Sequence, residues 1–143
     1  MLDELKRKLV AILTSDPALG ALLASESAVY YARPPKPTEL PCLTLFPDER
    51  PDIESSDHGK FIVECHLDIW STSAERNDAI LAALDNLLFD GHRSAAMDTE
   101  SFRVGSCRRL WSRVVESAMR EMNGLEVEKR ETLWRIILLK KAS

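Results

Sequence analysis

Leu2, Leu5, Leu9, Ile12 and Leu13 recur at helical spacing, while Asp3, Lys6, Arg7 and Lys8 fill the remaining positions, and the pattern predicts an amphipathic first helix. Asp16 before Pro17 supplies an N-cap and a first-turn proline for a short second helix that turns Leu19, Leu22 and Leu23 inward and ends near Ser25. At Val29 the pattern changes. VYYA is β-prone, and Pro34, Pro35 and Pro37 then force an extended crossing toward a second strand, PCLTLF, residues 41–46. Residues 47–60, PDERPDIESSDHGK, hold two prolines, seven charged side chains and a glycine, which predicts an exposed loop or long hairpin tip. FIVECHLDIWS, residues 61–71, alternates cleanly, with Phe61, Val63, Cys65, Leu67 and Ile69 on one face and Glu64, His66 and Asp68 on the other.

Thr72 with Glu75 three residues later forms a capping box for the main helix, whose apolar stripe is Ile80, Ala83, Leu84, Leu87 and Leu88 and whose C-cap is Gly91. Beyond a polar stretch containing Ala95 to Thr99, SFRVGSCRRLWSRVVES is β-prone with interleaved arginines, and ETLWRIILLKK is a final strand. Asn123 and Gly124 make a turn pair able to join these as two long antiparallel strands. The last strand is apolar on both sides: Trp134, Ile136 and Leu138 face one way, Leu133, Ile137 and Leu139 the other. The order of elements predicts an α+β fold, with a mainly antiparallel sheet of about five strands and two main helices on one face. Helices on one face leave the second face of the last strand to be covered by another copy, which predicts a homo-oligomer.

At 143 residues the chain fits one domain spanning 1–143, with no internal repeat or linker. Its 45% hydrophobic and 29% charged residues suit a folded globular domain. The 23 acidic and 19 basic side chains give a net charge of -4, a poor footprint for gripping a phosphate backbone. The opening MLDELKRKLVAIL has no continuous apolar stretch of signal-peptide type, and no run approaches a membrane span. Cys42, Cys65 and Cys107 are odd in number, lack C-x-x-C spacing and fall in strand-like stretches, so buried reduced thiols are expected.

No G-x-S-x-G or P-loop signature is present, and five glycines leave little for a phosphate-cradling loop. Of His58, His66 and His92, only His66 neighbours a cysteine, and adjacent strand residues point to opposite faces, so Cys65 and His66 do not chelate one ion. No catalytic residue, cofactor or metal is therefore expected. Asp48, Glu49, Arg50, Asp52, Glu54 and Asp57 lack the regular spacing of a calcium loop and read as a solvated or partner-facing segment. Arg103, Arg108, Arg109 and Arg113 around Trp111 have the look of a nucleic-acid stripe, but cross-strand pairing with Glu126, Glu128 and Glu131 accounts for them better. Candidate subunit or partner contacts are the acidic segment just named, Trp70, Arg108, Arg109, Trp111 and Arg113, and Trp134, Ile136 and Leu138 on the last strand.

Taken in order, LDELKRKLVAILTSDPALGALL, VYYARPP, PCLTLF before an acidic loop, HLDIWSTSAERNDAILAALDNLL and a closing β pair resemble the tail completion or tail terminator proteins of long-tailed phages and prophages. The most characteristic piece is the strand ending in Asp68, Ile69 and Trp70, followed directly by a Ser-rich capped helix. The resemblance covers nearly the whole chain and rests on order and spacing, since none of these motifs is catalytic. It implies a virion structural protein, not an enzyme, made in the bacterial host cytoplasm and residing in the tail. There it would form a ring, usually of six copies, at the head-proximal end of the tail tube. Its partners would be itself, the tail tube protein and a neck or head completion protein, with DNA passing through without tight binding and no membrane involved. Alternative readings are a neck or head completion ring protein, a small-molecule or peptide-binding domain with Trp70, Trp111 and the arginines lining a pocket, and a DNA-binding accessory protein.

Overall fold

The computed structural model describes residues 2–35, 38–49, 59–122 and 125–142. The elements follow in the order α1 (Leu2–Ser15), α2 (Pro17–Gly20), β1 (Val29–Tyr31), β2 (Cys42–Glu49), β3 (Lys60–Ser71), α3 (Ala74–Arg93), β4 (Phe102–Met122) and β5 (Leu125–Lys140). The strands form one sheet in the order β1-β2-β3-β5-β4; β1 runs parallel to β2, and every other neighbouring pair is antiparallel. The expected α+β class, the five strands and the helices on one side of the sheet all appear.

Strand alternation divides the sheet into two faces. Val63, Cys65, Leu67 and Ile69 of β3 stand beside Ile136, Trp134, Thr132 and Arg130 of β5. With Leu43 and Leu45 of β2 they meet Leu5, Leu9 and Leu13 of α1 and Ile80, Leu84 and Leu88 of α3 in one buried cluster. Their combined apolar area, withdrawn from water, is the main stabilising term of the fold. Polar groups anchor α3 to this face. Arg109 reaches Asp85 through two bonds, Nε to Oδ1 at 2.9 Å and Nη2 to Oδ2 at 3.2 Å, and the largely buried Arg130 pairs with Asp78 of α3 and with Glu128.

Local details depart from the sequence reading in five places, the first being that β2 runs on to Glu49, three residues into the stretch read as a loop. Asp16 does cap α2, its Oδ2 accepting from the Leu19 N–H at 2.8 Å, but the helix ends at Gly20 instead of near Ser25. The Ala24 N–H is bound by the Pro41 carbonyl at 2.9 Å, which takes the chain off the helical path. The N-cap of α3 is Ser73, not Thr72: its hydroxyl accepts from the Arg76 N–H at 3.3 Å, while Ser71 Oγ holds the Ser73 N–H at 3.2 Å. Gly91 is not the C-cap either, since α3 continues to Arg93. Its lack of a side chain serves packing, for a Cβ there would lie 3.1 Å from Met97 Cγ, and the positive φ after the helix belongs to Ala95, at 62°. Finally, the described residues between the segments SFRVGSCRRLWSRVVES and ETLWRIILLKK are themselves strand. β4 and β5 pair out to Met122 and Leu125, so the hairpin is longer than expected; its turn pair, Asn123 and Gly124, lies outside the described residues.

Candidate assembly surface

No helix packs on the second face of the sheet among the described residues, and its side chains are set by register. Reading across β2, β3, β5 and β4, one row is Asp48, Glu64, Arg135, Arg108; the next is Phe46, His66, Leu133, Trp111; the third is Thr44, Asp68, Glu131, Arg113. Ion pairs knit the inner strands together: Glu64 with Arg135 at 3.6 Å, Asp68 with Lys129 at 3.6 Å and Glu131 with Arg113 at 3.1 Å. The ammonium of Lys129 sits 4.8 Å from the Trp70 ring centroid, and the Arg113 guanidinium 4.8 Å from that of Trp111. Trp70 Nε1 donates to Thr44 Oγ1 at 3.0 Å. This face is a charge lattice with Leu133, Ile137, Leu139 and the two tryptophans set into it; Leu133 is buried and the others are half-buried, with no covering element among the described residues.

The lattice leaves some polar groups short of partners. Asp68 Oδ1 and Arg135 Nε are buried with no hydrogen bond. Burial raises the Asp68 carboxyl above its ordinary value; Lys129 opposes the shift, and Glu131, directly opposite in register, adds to it. The three cysteines are buried and free, as expected, and desolvation pushes Cys42 and Cys107 up to about 12 and Cys65 higher still. No group of three or more His, Cys, Asp or Glu able to hold a metal ion occurs among the described residues, and no described helix is long and apolar enough to cross a membrane.

The structure distributes the sequence-derived contact residues among different surroundings. Trp70, Arg108, Trp111 and Arg113 share the uncovered face, and Asp48 joins them at its far edge. Arg109 points to the helix side and is engaged by Asp85. Trp134, Ile136 and Leu138 require a correction: they are 2%, 1% and 0% exposed, consumed by the core, and no second copy reaches them. The uncovered side of β5 is instead Lys129, Glu131, Leu133, Arg135, Ile137 and Leu139. Glu49 lies in β2, and Arg50, Asp52, Glu54 and Asp57 fall outside the described residues. Of the cross-strand pairings expected for the arginines, Arg113 with Glu131 forms. Glu128 goes to Arg130, and Arg108 stands opposite another arginine, Arg135. Sequence alone missed the Arg109–Asp85 clasp, because a contact between α3 and β4 leaves no periodic signal in either element.

A shallow cleft of about 390 Å³ lies where α3 meets β4, lined by Asp85, Asn86, Phe89 and Trp134 together with residues of β4 from Cys107 to Arg109. Trp70 and Trp111 do not line it. At the other edge of the sheet, Tyr31 and Phe46 are 46% and 41% exposed and stack with centroids 5.6 Å apart, with Lys6 over the Tyr31 ring at 4.0 Å. The two edges also differ in length. β4 offers 21 residues with register shifts at Gly105, at Leu110 and between Val115 and Arg120, whereas β1 has three residues and ends opposite Leu45, leaving Phe46 to Glu49 of β2 paired with β3 on one side and with no strand on the outer side among the described residues.

A family model described as Tail completion protein gp17 matches residues 7–130. No curated protein sequence matches the chain. Among solved structures, a chain of the virion of a native gene transfer agent (GTA) particle is similar, with a TM-score of 0.69 at 18% sequence identity, covering 99% of this chain and 95% of that one. At that identity the likeness is one of fold, and it extends from α1 through the closing hairpin. The family match runs from within α1 to the middle of β5, taking in both helices that cover the sheet and most of the uncovered face, and the chain belongs to the tail completion protein gp17 family.

Proposed function

We propose that this protein is a structural component of a phage-type tail that closes the head-proximal end of the tail tube as a ring of identical copies. Such a ring ends tube growth and offers its upper surface to the neck or head completion protein. The observation that carries this reading is membership of the tail completion family over residues 7–130, and the fold shared with a chain of a gene transfer agent virion is consistent with it. The physical features agree. The sheet has a face with no helix on it and two dissimilar edges, and a head-to-tail ring needs two different mating surfaces on one subunit. By resemblance the ring has six copies. A net charge of -4 suits a lumen through which DNA slides without being held. No step of this function requires a nucleophile, a cofactor or a metal.

Electron microscopy of the purified protein, alone and mixed with tail tubes, tests the reading. Rings seated at one end of each tube, with tube length no longer increasing, are expected. Tubes that keep growing with bare ends at saturating protein would refute the terminator role, and rings bound only to portal or neck assemblies would reassign the protein to head completion.

A further inference from the structure

The row Asp48, Glu64, Arg135, Arg108 crosses four strands on the uncovered face, and its charges run acid, acid, base, base. Like charges directly opposite one another on neighbouring strands are destabilising, and this row contains two such pairs, Asp48 beside Glu64 and Arg108 beside Arg135. The two inner members neutralise each other at 3.6 Å. The two outer members, Asp48 and Arg108, are both exposed and have no ionic partner among the described residues. One monomer thus carries an unmatched acid at one edge of its sheet and an unmatched base at the other, in the same row.

The adjoining row repeats the arrangement with apolar groups. Phe46, 41% exposed, ends it on β2, and Trp111 ends it on β4, with His66 and Leu133 between them. Along β2 the order is Phe46 then Asp48; along β4, which runs antiparallel to β2 in this sheet, it is Arg108 then Trp111. When the β4 edge of one copy faces the β2 edge of the next with the rows in line, Arg108 meets Asp48 and Trp111 meets Phe46 in the same step. Among the described residues no strand lies on the outer side of β2 there, because β1 ends opposite Leu45.

We infer that the occupant of each sheet edge is a second copy of this chain, joined head to tail, with Arg108 and Trp111 of one subunit against Asp48 and Phe46 of the next. This rests on the ring reading above and specifies its seam. The contact is heterologous, so each subunit uses both edges, and the series forms a ring where the rotation per subunit closes, as the ring reading requires. Each new contact relieves the two like-charge juxtapositions by placing an opposite charge on the outer member of each.

Charge reversal tests this in the full chain. Arg108→Glu sets two acids against each other at every seam, and Asp48→Arg sets two bases, so each variant alone should lose at least tenfold in self-association by sedimentation or mass photometry. An equimolar mixture should recover assembly, because alternating subunits give an acid-base contact at every seam, and native mass spectrometry should find even-numbered rings with equal content of each variant. The double variant Asp48→Arg/Arg108→Glu should assemble by itself. Circular dichroism checks folding; Asp48→Asn and Arg108→Gln, which add no repulsion, stand in for a misfolded reversal with a smaller loss expected. Single variants that assemble like the parent, a mixture that stays monomeric, or assembly that stops at a dimer would each overturn the seam while leaving rings of the parent protein intact. A parent protein that forms no ring at any concentration, with or without tubes, would overturn the ring reading and the seam together.

Discussion

The two faces of the sheet are built from the same strands, alternate residue by alternate residue, yet they solve opposite problems. On the helix side Val63, Cys65, Leu67 and Ile69 are at most 1% exposed, and the polar residues there, Arg109 and Arg130, reach carboxylates of α3. On the other side the strands carry charged rows that run from acid on β2 and β3 to base on β5 and β4 or on β4 alone. Of the apolar residues among them Leu133 is buried, while Ile137, Leu139 and the tryptophans are half-buried, Trp70 under the Lys129 side chain. The helix face is finished within one chain. The lattice face pairs Glu64 with Arg135 and Asp68 with Lys129 in its interior, and at its margins Asp48 and Arg108 have no ionic partner among the described residues.

The sharpest probe of this contrast is the adjacent pair Ile136 and Ile137. Ile136→Ala empties a fully packed site and should cost about 2–5 kcal/mol in urea unfolding of the dilute protein. Ile137→Ala, half-exposed on the lattice face, should cost well under half of that. Equal losses would mean that the lattice face is as much a core as the helix face. Next in size is a pair of arginines. Arg130→Ala breaks charge-assisted bonds to Asp78 and Glu128 in a mostly buried setting and should cost about 1.5–3 kcal/mol. Arg113→Ala, with a side chain 64% exposed, should cost about 0–1 kcal/mol. A larger loss at Arg113 would reverse the proposed division of labour.

Asp68 gives a pH-dependent test of the lattice. Burial holds its carboxyl above the ordinary 3.8, so the folded protein keeps this proton to a higher pH than the unfolded chain does. The folded state is therefore favoured while Asp68 is protonated, and that contribution disappears as pH rises from 3.8 through the raised value. Asp68→Asn cannot lose it, so the stability of the variant relative to the parent should climb across this window. A relative stability that instead falls with rising pH would show the carboxylate to be favourably paired. The smallest effect is expected at the thiols. Cys42, Cys65 and Cys107 are all desolvated, so a maleimide reagent should label none of them in the native protein at neutral pH and all three after unfolding. Native labelling of Cys107 would show that the edge strand opens.

Much of this was legible in the chain. A period of 3.6 located α1 and α3 and picked Leu5, Leu9, Ile80, Leu84 and Leu88 for the core, and a period of two sorted β3 into its two faces. The doubly apolar character of β5 was equally plain. Which side of β5 the helices take was not, because alternation is symmetric between faces and both sets of residues are apolar. The candidate contacts split along that line: Trp70, Arg108, Trp111 and Arg113, picked by residue type, lie on the lattice face, whereas Trp134, Ile136 and Leu138 lie in the core. Helix ends also escaped, since Thr72 and Ser73 are equally good caps by chemistry and only the Ser71 hydroxyl, holding the Ser73 N–H, selects between them. By itself the sequence determined the elements, their amphipathic faces and, through its order of motifs, the family. The tertiary structure alone decided the rows. A row is a line across β2, β3, β5 and β4, set by registers between residues as far apart as Asp48 and Arg135, and no pattern confined to one segment encodes a pairing between distant strands.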